Sequence, residues 1–131
     1  MFSQITSTSE PRHCVIEDRW YDNTAVVHCR GVLDILTAPV LERHLAHTLA
    51  DNPAAVIVDL TDIDFLASHG MAILIATHDR VSPRLPFSVV ADGPTTSRPM
   101  KLVGLHELMP MHPRLDLALE YVHSSKRGAL A

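Results

Sequence analysis

The stretch Val56-Ile57-Val58-Asp59-Leu60 is almost wholly apolar, then gives way to the polar Thr61-Asp62 and Asp64. A short apolar run of this kind predicts a strand buried on both faces of a parallel sheet. A loop holding Asp62 and Asp64 follows. Ser68 then opens a helix to about Val81 that is apolar nearly all round at its start, through Met71, Ile73, Leu74 and Ile75, and so packs deep. Upstream, Cys14–Trp20 and Ala25–Arg30 read as two strands joined by a turn at Tyr21-Asp22-Asn23-Thr24, an antiparallel hairpin. Gly31–Leu36 reads as a loop. Thr37 is placed to cap a helix with Pro39 in its first turn. Val40, Leu41, His44, Leu45, Thr48 and Leu49 recur at three and four along that helix, and Asp51-Asn52-Pro53 ends it.

Downstream, Pro83 and Pro86 bracket a loop before a strand at Phe87–Ala91. Asp92–Thr96 is a turn, and Ser97 caps a helix whose apolar side holds Met100, Leu102 and Val103. Gly104 favours its C-terminal stop. Leu108–Met111 is a short extended piece. A last helix begins at Pro113, with Leu115, Ala118, Leu119 and Val122 on its apolar stripe. Residues 1–12 read as a loose lead-in and 124–131 as a polar tail that frays, leaving one domain over 13–123. The order β-β-α-β-α-β-α-(β)-α predicts an α/β fold: a mixed, mostly parallel sheet of four or five strands covered by helices.

Composition narrows the function classes. The chain has 131 residues, 47% of them hydrophobic, enough for one unstapled core. Its formal net charge of −4 lacks the basic face that direct nucleic-acid binding needs. No apolar run is long enough to cross a bilayer, and the N-terminus has no signal-peptide core, so a cytoplasmic protein without membrane insertion is expected. Two cysteines, Cys14 and Cys29, are too few for a disulfide framework. They fall on the two strands of one hairpin, as small buried side chains or as a redox pair.

Enzyme signatures are sparse. The chain has no glycine-rich dinucleotide or phosphate loop, and Ser68 lacks the leading glycine of a nucleophile elbow. Ser68, His69 and Asp34 are the residue types of a hydrolytic triad. However, consecutive residues at a helix start project in different directions, which points away from catalysis. Asp59, Asp62 and Asp64, or His44 with His47 at i, i+3, are metal-ligand candidates without a completing set; no metal or cofactor is expected. Position alone leaves Ser68 with two readings. It is a helix cap, or it is a hydroxyl set among free N–H groups where a phosphate is well held.

Phe65-Leu66-Ala67-Ser68-His69-Gly70-Met71, following the Val56–Leu60 strand, resembles the strand-loop-serine-glycine segment of the STAS domain, the fold of anti-sigma factor antagonists. Gly31-Val32-Leu33-Asp34, followed by Thr37-Ala38, is similar to the Gly-Glu-Leu-Asp turn of that family. The order of the remaining elements also agrees, so the likeness spans roughly Cys14 to Val122. The resemblance implies that Ser68 is a phosphoacceptor. It also implies that an anti-sigma factor, itself an ATP-dependent serine kinase, binds the unmodified protein and releases it on phosphorylation. The surface implied for that partner comprises Asp34, Thr37, Asp64, Ala67, Ser68, His69, Gly70 and Met71, and a dimer is left open. Ala67 stands where the family has an acid and His69 where it has a second serine. A non-switching subunit of a lipid-transport ABC system or of a stress-signalling assembly is the alternative.

Overall fold

The structure, a computed structural model, describes residues 13–130, with the side chains of 126–130 left aside; the expected lead-in at 1–12 lies outside the described residues. Strands β1 (Cys14–Tyr21) and β2 (Thr24–Leu33) form the expected hairpin, and helix α1 (Ala38–Ala50) follows. Then come β3 (Ala55–Leu66), α2 (Ser68–Val81), β4 (Phe87–Val90) and α3 (Ser97–Leu102). A 3₁₀ turn at Leu105–Glu107, β5 (Met111–His112) and α4 (Leu115–Leu130) complete the chain. The strands lie in the order β1-β2-β3-β4-β5. β1 runs antiparallel to β2, and all other neighbours are parallel.

Two layers of helix cover this sheet. Leu41 and Leu45 of α1, Leu74 and Val81 of α2 and Met100 of α3 join Val27, Val58 and Val89 in the main core. On the other face α4 alone sets Ala118 and Val122 against Val26, Ile57 and Val90. Asp18 of β1 fastens α1 to the sheet: His44 Nε2 lies 2.7 Å from its Oδ1, and the Thr48 hydroxyl donates to its Oδ2 at 2.9 Å. His44 is therefore committed to a carboxylate of the sheet, and His47 is exposed. Among the described residues no cluster of His, Cys, Asp or Glu is arranged to hold a metal. No described helix is long and apolar enough to cross a membrane.

Several boundaries differ from the sequence expectation. β2 does not stop at Arg30 but continues to Leu33, with irregular pairing to β3 after His28 and after Gly31. Gly31 makes this possible, since its φ is +108° and a Cβ there would lie 2.1 Å from the His13 carbonyl oxygen. β3 likewise runs past Leu60 to Leu66, so Asp62 and Asp64 belong to a strand and not to a loop. Along β3, only Val56–Asp59 pair with β4, so beyond that point β3 is held by β2 alone and tolerates polar residues on its open side. Helix α4 starts at Leu115, two residues after Pro113, and continues past Ser124 to Leu130.

The thiols sit on one face of the hairpin, Cys14 opposite Gly31 and Cys29 opposite Ile16. Both are free. Burial, helped by the Asp34 charge, pushes the Cys14 thiol up to about 11; deeper burial pushes Cys29 higher still. Both shifts disfavour the thiolate that exchange chemistry requires. Iodoacetamide at pH 8 should label native Cys14 roughly a hundredfold more slowly than a free thiol, given the thiolate fraction, and both cysteines readily once the chain is unfolded. Rapid native labelling of Cys14 would restore the redox reading.

Candidate functional site

The loops that follow β2 and β3 meet at the C-terminal edge of the parallel strands. The Ala67 amide donates to the Leu33 carbonyl at 2.8 Å, which places the start of α2 beside the turn that begins at Asp34. That turn is closed by its own side chains. Asp34 Oδ1 accepts from the amides of Leu36 and Thr37 at 3.0 and 3.1 Å. The Thr37 hydroxyl donates to the Val32 carbonyl at 2.7 Å and accepts from the Asp34 amide at 2.9 Å. This is an Asx-type turn, the arrangement a short carboxylate favours. Thr37 is indeed the N-cap residue of α1, but its hydroxyl serves the turn and not the helix amides.

Closing the turn this way buries Asp34 and Thr37 and forces the two residues between them outward. Ile35 is 60% exposed and Leu36 65%. Phe65, at the end of β3, is 55% exposed, and Val40 in the first turn of α1 is also exposed. Four large apolar side chains are thus left in water at this edge. The sequence marks Ile35 and Leu36 only as part of a loop, without singling them out. The available signal was that they belong to neither neighbouring periodicity.

Ser68 lies within this rim. The N-cap of α2 is Ala67, extended at φ −97° and ψ 169°, and no side chain caps the helix. The Ala67 carbonyl takes the amides of Gly70 and Met71. Ser68 is thus the first helical residue, one position past the cap, and it is exposed along with His69. The capping role weighed for it is not the one it occupies. No acidic residue stands in the first turn of α2, so no side chain of that turn offsets the positive end of the helix dipole.

The residues expected around Ser68 divide by exposure. Asp64, Ser68 and His69 are open to solvent, and Ala67 and Met71 are half-buried. Asp34, Thr37 and Gly70 are buried. A Cβ on Gly70 would lie 2.9 Å from Leu66 Cδ1 and 3.0 Å from Leu33 Cβ, so this glycine lets α2 approach the ends of both strands. The neighbouring acids are engaged separately. Asp59 accepts from the amide and hydroxyl of Thr61, and Asp62 Oδ2 lies 2.7 Å from His28 Nε2. Neither converges on Ser68 as a base or a metal ligand.

This architecture has close counterparts. The chain is 36% identical over 106 residues to the anti-sigma-F factor antagonist RsfB of Mycobacterium tuberculosis, covering 81% of this chain and 87% of that protein. The crystal structure of an anti-sigma factor antagonist from Mycobacterium paratuberculosis superimposes with a TM-score of 0.83 at 38% identity, over 87% of this chain and 97% of that one. The anti-sigma factor antagonist SpoIIAA in its unphosphorylated form shares the fold, with a TM-score of 0.67 at 14% identity over 84% of this chain and 97% of its own. The sequence profile of the STAS domain matches residues 16–118. With the serine at the head of α2, the five-stranded mixed sheet and this match over most of its length, the chain belongs to the STAS domain family.

Proposed function

We propose that this protein is a cytoplasmic anti-sigma factor antagonist that works by partner switching. Unmodified, it docks on an anti-sigma factor through Ile35, Leu36, Phe65, Asp64, Ala67, Ser68, His69 and Met71. Asp34, Thr37 and Gly70 act from behind, by fixing the turn and the helix that present those residues. The partner is also a serine kinase. It transfers the γ-phosphoryl group of ATP to Ser68 Oγ, ADP leaves, and the hydroxyl proton passes to the kinase's base. The modified surface then lets go.

One observation carries this reading: the Ser68 hydroxyl is exposed at the first position of α2, with no capping bond, in a rim of exposed apolar side chains. The kinship to RsfB supports the class of partner. In this scheme the chain contributes an acceptor oxygen and a shaped surface; the partner contributes ATP and the general base.

The test is capture of the anti-sigma factor by the purified chain, followed by incubation with ATP and mass spectrometry. Phosphate on Ser68 and loss of the complex are expected. Phosphate on another residue, or none, removes Ser68 from the scheme. The rim is tested separately by Leu36→Asp. A charge placed in an apolar contact should weaken capture by roughly thirtyfold, about 2 kcal/mol. Because Leu36 is exposed, thermal stability should stay within about 2 °C of the parent. Undiminished capture would move the docking surface elsewhere.

A further inference from the structure

The opposite edge of the sheet, where the parallel strands begin, carries a second concave feature. A cavity of about 510 Å³ opens between the end of α2, the loop into β4 and the flank of α4. Its walls are apolar, formed chiefly by Pro83, Leu85, Phe87, Pro110 and Tyr121. That size and lining are those of a site for a small organic molecule. His78, whose ring lies 5.9 Å from that of Phe87 and whose Nδ1 lies 3.3 Å from Asp79 Oδ1, and Arg84 are the basic groups on its wall among the described residues.

A neighbouring hollow of about 440 Å³ shares Ala54, Arg84 and Leu85 with it and adds Arg80. Among the described residues no carboxylate lines either space, although the chain as a whole carries a net charge of −4. Arg80 stands in the last turn of α2, where the helix dipole favours a cation. Arg84 lies beyond the helix and has no such reason to be there. Its guanidinium makes one long hydrogen bond, to the Arg80 carbonyl at 3.3 Å, and among the described residues no carboxylate pairs with it. A planar fork with unused donors at the mouth of an apolar cavity matches a carboxylate attached to an apolar body.

We propose that this cavity binds a small organic carboxylate whose body of one or two rings packs between Pro83, Phe87 and Tyr121 while its charged head takes the Arg84 guanidinium. The site lies at the far end of α2 from Ser68, about 20 Å away along the helix. Ligand and protein partner therefore do not compete for space, and the site stands or falls independently of partner switching.

The test is an NMR titration of the full chain with 2-naphthoate and with its uncharged counterpart 2-naphthamide. Naphthoate should shift the amides of Leu85, Phe87 and Tyr121 in a saturable way, with a dissociation constant of about 1 mM or tighter, as expected for a fragment of this size. Arg84→Gln, a change at an exposed side chain, should weaken naphthoate about tenfold or more. Naphthamide should bind the parent more weakly than naphthoate and should not respond to Arg84→Gln. The proposal is overturned by the absence of saturable shifts at these amides up to about 10 mM, by shifts that map to another surface, or by equal affinities of acid and amide or of parent and variant.

Discussion

Phosphate on Ser68 should weaken the complex with the anti-sigma factor more than a hundredfold while leaving the free domain at least as stable as before. The two effects have opposite signs because the same group meets two environments. In the free domain it sits exposed at the head of α2, whose first turn carries no acid and no side-chain cap, a setting that stabilises anions. In the complex it would be enclosed by the contact surface around Ile35, Leu36 and Phe65, carrying about −1.5 to −2 charges that apolar neighbours cannot solvate. A net loss of about 3 kcal/mol corresponds to more than a hundredfold in affinity. Ser68→Asp delivers one charge on a shorter arm, so about tenfold is expected of it, together with a rise of roughly 1–3 °C in melting temperature. Ser68→Ala should bind within about twofold of the parent and accept no phosphate. Calorimetric titration against the anti-sigma factor, paired with thermal melts, reads both signs at once. Parent-like binding by both Ser68→Asp and the phosphorylated protein would end the charge argument.

The largest stability effect is expected at Gly31. With φ at +108° and a Cβ position 2.1 Å from the His13 carbonyl oxygen, alanine there combines a conformation L-residues avoid with a clash against backbone that cannot swing aside. About 3 kcal/mol or more is expected, near 10 °C in melting temperature for a domain of this size. Gly93 supplies the control. Its φ is +90°, yet nothing lies within 4 Å of its Cβ position, so Gly93→Ala carries the backbone cost alone, about 1 kcal/mol. Urea denaturation of both variants isolates the clash as the difference between them. If Gly31→Ala loses no more than Gly93→Ala, the hairpin end is softer than its geometry implies. Because Gly31 carries β2 on to Leu33, its loss should also disturb the Asp34 turn and reduce partner capture.

The order of elements was legible because each is announced by a local signal: the apolar run at Val56–Leu60, the three-and-four spacing through Leu41 and Leu45, the turn residues Asp22 and Asn23. Asp22 does adopt a positive φ of 56°, as its residue type allows. The ends were less legible, because tertiary hydrogen bonding sets them. Thr61, Asp62 and Asp64 look like loop until Arg30 and Gly31 are seen paired with Asp62 and Ile63. The same registry fixes Ala67 against Leu33 and moves the cap of α2 one residue earlier than serine chemistry alone suggests. Ala67 is a poor cap by type, so no local rule selects it. At the site, the motif named the residues that gather at this edge, but which of them are exposed and which buried was not legible. That division follows from the bonds of Asp34 and Thr37, invisible until the turn is built.

The self-bonded Asp34–Thr37 turn has a kinetic corollary. A loop already stiff before encounter has little freedom left to surrender, so the ordering penalty that slackens many associations is small here. In the proposed complex Ile35 and Leu36 would be presented by a preformed turn rather than by a segment that must first condense. Association should then proceed in one step, at a rate close to that of rigid bodies colliding in register.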